Sequence, residues 1–360
     1  MLVLFLVSFI AVYLTFLEGR NRIKYGMRNG FFLVFFTAAI RDNYGNDFSN
    51  YLDWFTLVSK SRLGFSQMIS SSAFLGVDNG WSFLCYIFSP FGFNFFVAAV
   101  TAFSCYVFYN FIKDNVAIKW QWLGVFIYLF SSQIFVLGLS MMRQTFAITM
   151  FVLAYSFIKR NKIILPLIIM LLGTTIHSSA IITIPFLFIN RLRFKNNRIF
   201  SIMLVVLYFV SIIVAKYTSD LLNQLTLFNT FGRYIKTYQK DTVVFNVGIG
   251  YIVMQLPFAL YVIYAWRNKL SKIQGSFILM SSIPYFLLAF KDVAMSERLG
   301  YYFVVFSIVT IPLALSSINK KILQWSLLAI FGVVTLFSYN MFFTSIVWRD
   351  KFYIYHTIFE

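Results

Sequence analysis

The chain has 360 residues, of which 60% are apolar, 21% aromatic and only 12% charged, against roughly 45–50% apolar and about 25% charged in soluble domains. So apolar a composition excludes a water-soluble globule. The formal charge of +18, from 30 basic and 12 acidic residues, does not make a nucleic-acid-binding module either, because the basic residues are scattered between apolar runs.

A bilayer-crossing helix needs about 20 mostly apolar residues. In chain order, apolar segments fall near 2–17, 29–40, 92–112, 120–139, 142–158, 163–189, 199–215, 244–266, 273–290, 299–318 and 322–346. They predict an all-α polytopic integral membrane protein of about 11–12 transmembrane helices, one domain over residues 1–360. The first segment follows Met1 with no basic stretch and ends without a small-residue cleavage site, so it reads as a retained helix, not a signal peptide. After the second, Gly45 and Asp47 ahead of Tyr51 predict a turn and a helix start with Asp47 as its N-cap. The stretch NGWSFLCYIFSPF at 79–91 reads as an interfacial or partly embedded helix ended by Pro90 and Gly92. Cys85 and Cys105 lie inside apolar segments, which excludes a disulfide scaffold.

Charge placement predicts orientation. The loops at 18–30, 113–119, 159–162, 190–198, 267–272 and 319–321 hold 18 of the 30 basic residues but only Glu18 and Asp114 among the 12 acidic ones. Lys and Arg accumulate in cytoplasmic loops, so these loops face inward and the loops at 41–79, 140–143, 216–243, 291–298 and 347–360 face outward. Residues 163–189 break the alternation, since KRNK and NRLRFKNNR on either side are both strongly basic. The expected solution is a hairpin of two short halves turning at residues 173–179, around His177. Non-helical backbone at that depth must be buried in protein or line a wet cavity.

Four outer-face clusters carry polar groups that composition alone does not explain: residues 41–51, Ser140 to Gln144, His177, and Ser296 to Tyr302. Arg143 lies between two apolar helices, where a guanidinium is suited to an anion through its planar fork; it would equally serve as an anchor reaching headgroup phosphates. Arg298 faces the same choice, with Glu297 beside it as an ion-pair partner. His177 suits proton transfer, or a hydrogen bond tying the turn to a neighbouring helix. Asp47 offers a carboxylate for sugar hydroxyls or for base catalysis beside Tyr44, Tyr51 and Trp54. In the outer loop, Arg233 and Tyr234 suit an anionic glycan or a membrane-surface helix. The two histidines, His177 and His356, stand far apart with no Cys, Asp or Glu at ligand spacing, so neither a metal nor another cofactor is expected. P-loop, GxGxxG, GxSxG and HExxH motifs are absent.

Taken in order, these residues resemble the EpsG family of polysaccharide polymerases, the Wzy-type enzymes of exopolysaccharide and O-antigen synthesis. The resemblance rests on Arg41, Gly45, Asp47 and Tyr51; Arg143, Gln144 and Ala147; His177, Ser178, Ala180 and Pro185; and Arg298, Tyr301 and Tyr302. GNDF stands where the family more often has Gly-Thr-Asp. The resemblance implies a GT-C-like membrane glycosyltransferase in the bacterial inner membrane, active on the periplasmic face. It would move a growing glycan from undecaprenyl pyrophosphate to the next lipid-linked repeat unit without a metal. On that implication Arg143, Arg298 and His177 are catalytic. Arg41, Asp47, Tyr51, Gln144, Arg233, Tyr234 and Glu297 bind substrate, and the loops near 41–79 and 217–243 shape the cavity. The implied partners are lipid-linked glycans, membrane lipids and a chain-length regulator protein, with no nucleic acid. An O-antigen ligase is the nearest alternative. A flippase is disfavoured, because charges kept at the rims with no internal repeat suit one-sided chemistry.

The hairpin has a direct test: a topology reporter fused after Asn190 reports the cytoplasm, and an external signal there would exclude it.

Overall fold

The computed structural model describes residues 1–60, 77–191, 196–225, 254–288 and 296–360. They are overwhelmingly helical, and the protein is an all-α, multi-pass membrane protein. Two compact units emerge, one of residues 1–188 with 335–360 and one of residues 189–334.

In the first unit, α1 (Leu2–Gly19) and α2 (Gly26–Ala39) form an antiparallel pair. On α1, Leu4, Ser8, Ala11 and Thr15 are buried, the stripe expected when every third or fourth residue faces protein. Leu2, Leu6, Phe9, Ile10 and Tyr13 are exposed. In water that face would be an aggregation surface; in a bilayer it meets lipid. A short strand, β1 (Arg41–Asp42), leads through the turn at Gly45 into α3 (Phe48–Lys60), with Asp47 immediately before the helix and its carbonyl accepting from the Tyr51 N–H at 3.0 Å. Next come α4 (Asn79–Phe88), a 3-10 turn at Ser89–Phe91, and α5 (Phe93–Asn115), with Gly92 at φ +85° as the expected stop between them. α5 buries Phe93, Phe96, Val97, Val100 and Phe108 against its neighbours.

The segment near 120–139 is one bent element: α6 (Gln121–Phe130) meets a π-helical stretch at Ser132–Val136 that continues into α7 (Leu137–Ser140), with a bend of 51°. Met141 then breaks the helix (φ −92°, ψ 59°) before α8 (Met142–Ile158), and α9 (Ile164–Ile176) packs back on α8. At His177 the backbone becomes extended (φ −149°, ψ 111°), and the chain goes on as 3-10 segments, Ser178–Thr183 and Pro185–Arg191. Residues 163–189 thus form two short halves parted at His177. The break is narrower than the expected turn, because Gly173 to Ile176 stay helical.

The C-terminal tail closes the first unit. A four-residue helical turn at Arg349–Phe352 precedes β2 (His356–Thr357), which pairs antiparallel with β1, Arg41 opposite Thr357 and Asp42 opposite His356. The Met1 amine donates to the Phe352 and Tyr353 carbonyls at 3.1 Å, and the Tyr44 hydroxyl donates to Phe352 O, also at 3.1 Å. His356 is exposed and pairs with Glu360 at 2.8 Å.

The second unit contains α10 (Asn197–Leu225), α11 (Leu256–Arg267), α12 (Lys272–Leu287), α13 (Ser296–Val304), α14 (Ser307–Ser316) and most of α15 (Lys321–Thr344). A capping box between Ser271 and Gln274 starts α12, and Ser281 on that helix hydrogen-bonds Thr310 of α14 at 2.8 Å. On α10, Ile199, Ile202, Val206, Phe209 and Ile213 form an exposed apolar face.

Among the described residues, α1, α5, residues 197–215 of α10 and α15 are each long and apolar enough to cross a bilayer. The number rises to six if the bent pairs α6–α7 and α13–α14 each count as one span. The other apolar segments give shorter helices, such as α8 and α9. The outer loop at 217–243 lies largely outside the described residues, as does 61–76 of the loop at 41–79.

Close helix approach in the first unit depends on glycine. A Cβ on Gly80 of α4 would lie 2.7 Å from Thr175 O and 2.8 Å from Thr175 C near the end of α9. A Cβ on Gly332 of α15 would meet nothing within 4 Å. Gly80→Ala therefore destabilises by about 1–3 kcal/mol, whereas Gly332→Ala is neutral or stabilising by up to about 1 kcal/mol. Paired thermal denaturation of the detergent-solubilised variants measures the contrast.

Candidate functional site

Three chain breaks of the first unit build the site. The turn before α3 needs Gly45, which sits at φ +113° and whose Cβ would come within 2.9 Å of both Leu139 O and Ser140 Cα. Only glycine accepts both the dihedral and the approach. The turn is thereby seated on the α7–α8 junction, where the Asp47 N–H donates to Ser140 Oγ at 3.3 Å. The break at Met141 starts α8 so that Arg143 lies in its first turn. The break at His177 ends α9.

Arg143 is partly buried and pairs with Asp78, Nη1 to Oδ2, at 3.4 Å. The Tyr51 hydroxyl lies within electrostatic reach of both the Arg143 guanidinium and the Asp47 carboxylate. The other Asp78 oxygen, Oδ1, accepts from the Ser178 N–H at 3.2 Å. Burial pushes the Asp78 carboxyl above the ordinary carboxylate range, while Arg143 and the Ser178 bond pull it back. Half-buried His177 has Nδ1 2.9 Å from Ser179 Oγ, a contact that orients the imidazole. Beneath the site lies an aromatic layer, in which Tyr51, Trp54 and Phe55 of α3 pack with Trp81 of α4 and Phe96 of α5. The Trp54 indole donates to Ser82 Oγ at 3.2 Å.

The electrostatics favour an anion. A cation in the first turn of a helix opposes the positive end of the helix dipole, so Arg143 and the α8 N-terminus together concentrate positive potential on one spot. Asp78 answers it with a single contact to one guanidinium nitrogen, while the arginine fork has five N–H donors.

The structure thus brings together four expected site residues, Arg143, Tyr51, Asp47 and His177, around Asp78. Gln144 follows Arg143 and is buried. Arg41 is placed differently within the same unit. The residue is only 2% exposed; its guanidinium donates to Ala38 O and to Thr101 Oγ1 (3.4 Å) and lies over the Phe48 ring at 5.8 Å. Burial lowers it to about 10, with Tyr355 acting in the opposite direction. Its observed bonds tie β1 to α2 and α5. Arg298 and Glu297 begin α13 in the second unit, where Arg298 is half-buried and Tyr302 fully buried. Arg233 and Tyr234 lie outside the described residues. Among the described residues no three His, Cys, Asp or Glu side chains gather as metal ligands would.

Sequence reasoning overlooked Asp78. It stands 65 residues from Arg143 and 100 from Ser178. The one local signal is its place immediately before an apolar helix, which reads as an ordinary N-cap.

The fold is that of an all-α, multi-pass membrane protein, with an arginine, a carboxylate and a histidine brought together at helix ends. The sequence matches the EpsG family over residues 28–357, and the chain belongs to that family, a Wzy-like polymerase family. Its membership supports a polysaccharide polymerase-type glycosyltransferase. Comparison with curated proteins and with solved structures gives no match.

Arg41 and Arg143 are expected to behave differently on truncation. Arg41→Ala removes buried hydrogen bonds and costs about 1–3 kcal/mol, whereas Arg143→Ala, at a partly exposed position, costs less. Thermal midpoints in detergent give the order.

Proposed function

We propose that the protein extends a lipid-linked polysaccharide on the periplasmic face of the bacterial inner membrane. The growing glycan, held on undecaprenyl pyrophosphate, is transferred to the non-reducing sugar of a new lipid-linked repeat unit in O-antigen or exopolysaccharide synthesis. Family membership supports the polymerase class. The observation that carries the chemistry is Arg143 in the first turn of α8, linked through Asp78 to the backbone break at His177.

In this reaction an acceptor hydroxyl attacks the anomeric carbon of the donor glycan. The bond from that carbon to the phosphate oxygen breaks, and its electron pair leaves with the lipid pyrophosphate. Charge grows on the leaving oxygen, where a preorganised guanidinium and a helix N-terminus stabilise it. The hydroxyl proton passes to a base. His177 is the first candidate, its ring oriented through Ser179, and Asp47 beside Tyr51 is the second. Charge neutralisation by arginine makes the transfer metal-independent. Arg298, in the second unit, is a further candidate for the donor phosphates on the family pattern, and Arg298→Ala tests it.

Deleting the gene leaves lipid carrying single repeat units with no ladder of longer chains on a glycolipid gel. Arg143→Ala reproduces that pattern at normal protein level, and Arg143→Lys restores little because the bidentate fork is lost. A deletion strain lacking even singly substituted core lipid would point to a ligase or a flippase instead.

A further inference from the structure

Asp78 occupies the N-cap position of α4, where an aspartate side chain normally accepts from the first free N–H groups of its own helix. It makes no such bond. The Trp81 and Ser82 N–H groups go instead to the Asp78 main-chain carbonyl, at 3.1 and 3.3 Å. The carboxylate is turned outward from its own helix, with one oxygen on Arg143 and the other on the Ser178 N–H. Ser178 opens the 3-10 segment that follows His177, so Asp78 caps a helical turn 100 residues away and neutralises the guanidinium at the start of α8. Gly80, two residues on, allows the close approach of α4 to Thr175 that brings the carboxylate there. One side chain therefore joins three separate elements, and two of them carry the groups assigned to charge stabilisation and to proton acceptance.

We propose that Asp78 is a positioning residue of the transfer reaction, holding the Arg143 guanidinium and the His177 turn in one frame so that the leaving phosphate and the attacking hydroxyl are served at a fixed spacing. The proposal rests on the polymerase reading above. The 3.4 Å contact to Arg143 is single, so the guanidinium keeps N–H donors for a phosphate while its direction is set by the carboxylate. Misplacement of a reacting group by about 1 Å costs on the order of 100-fold in rate, whereas anion binding needs only that the guanidinium be present.

The test compares Asp78→Ala, Asp78→Asn, Asp78→Glu and Arg143→Ala in the full-length protein. Ladder growth is followed over time in membranes supplied with the cell's own lipid-linked repeat units. Binding of inorganic pyrophosphate and thermal midpoint are measured on the purified protein. Asp78→Ala is expected to slow ladder growth by on the order of 100-fold while retaining pyrophosphate binding. Asp78→Asn, whose amide oxygen still accepts from Ser178, recovers part of the rate, and Asp78→Glu recovers less because its longer arm displaces both partners.

Normal ladder growth in Asp78→Ala overturns the proposal. So does a loss of growth that falls in step with pyrophosphate binding and thermal midpoint, since that pattern belongs to a merely structural residue. If Asp78→Ala does not accumulate, Asp78→Asn decides alone: slower growth with retained pyrophosphate binding supports the proposal, and wild-type growth removes it. Arg143→Ala separates the two levels of inference. A normal ladder in that variant sinks the polymerase site itself, whereas loss of both ladder and pyrophosphate binding leaves the site standing and the Asp78 variants to judge the positioning role.

Discussion

Within hydrocarbon, every backbone N–H and C=O has to find its partner inside the protein, because no water is there to accept or donate. That constraint makes the chain helical and turns each interruption of a helix into a local problem to be solved. At Ser131 the solution is a π-helical stretch that carries α6 into α7. At Met141 the helix restarts at once, with the Met141 N–H bonded to Leu137 O and the Thr145 N–H to Met141 O. At His177 the solution comes from elsewhere in the chain, since the Ser178 N–H is bonded by Asp78. The interruptions at Met141 and His177, with the turn at Gly45, assemble the site.

The same constraint explains why chemistry collects at helix ends. A guanidinium is expensive within the apolar layer, but in the first turn of a helix it can lie near the polar boundary while its stem packs on apolar neighbours. There it adds to the dipole of α8, and the combined potential is answered by one carboxylate with a single contact. The aromatic layer of Tyr51, Trp54, Trp81 and Phe96 beneath the site buries large rings and so holds α3, α4 and α5 together under the polar groups. Arg41 illustrates the opposite outcome. Its strand pairs with the C-terminal tail, and its guanidinium is part of the interior, bonded to Ala38 and Thr101.

Much of the helical layout was legible along the chain. Hydropathy located α1, α5, α10 and α15, and the stop at Gly92 and the start of α3 after Asp47 follow from ordinary turn and cap chemistry. Segment length was less informative, since a run of apolar residues does not reveal where a helix bends. The runs at 120–139 and 299–318 became bent pairs, and the run at 163–189 parted at His177 with its second half wound as 3-10 turns. Of the site, Arg143, His177, Asp47 and Tyr51 stood out as polar groups beside apolar helices. Asp78 did not, because an aspartate ahead of a helix looks the same whether it caps that helix or reaches across to two others. The tail strand was equally hidden, since HT carries no strand pattern of its own.

Sequence alone determined that this is a polytopic helical membrane protein, because apolar runs of sufficient length have no other stable solution, and it determined the family through an ordered set of residues spread over most of the chain. Tertiary structure alone decided which of those residues meet. Arg143 and the His177 turn are joined because Gly80 lets α4 approach Thr175 and because Asp78 leaves its own helix uncapped by its side chain. Arg41 is held inside by Thr101, while its strand pairs with one from the far end of the chain. Both outcomes depend on contacts between residues far apart in the chain, and such contacts are set by packing in three dimensions, which local residue patterns do not encode.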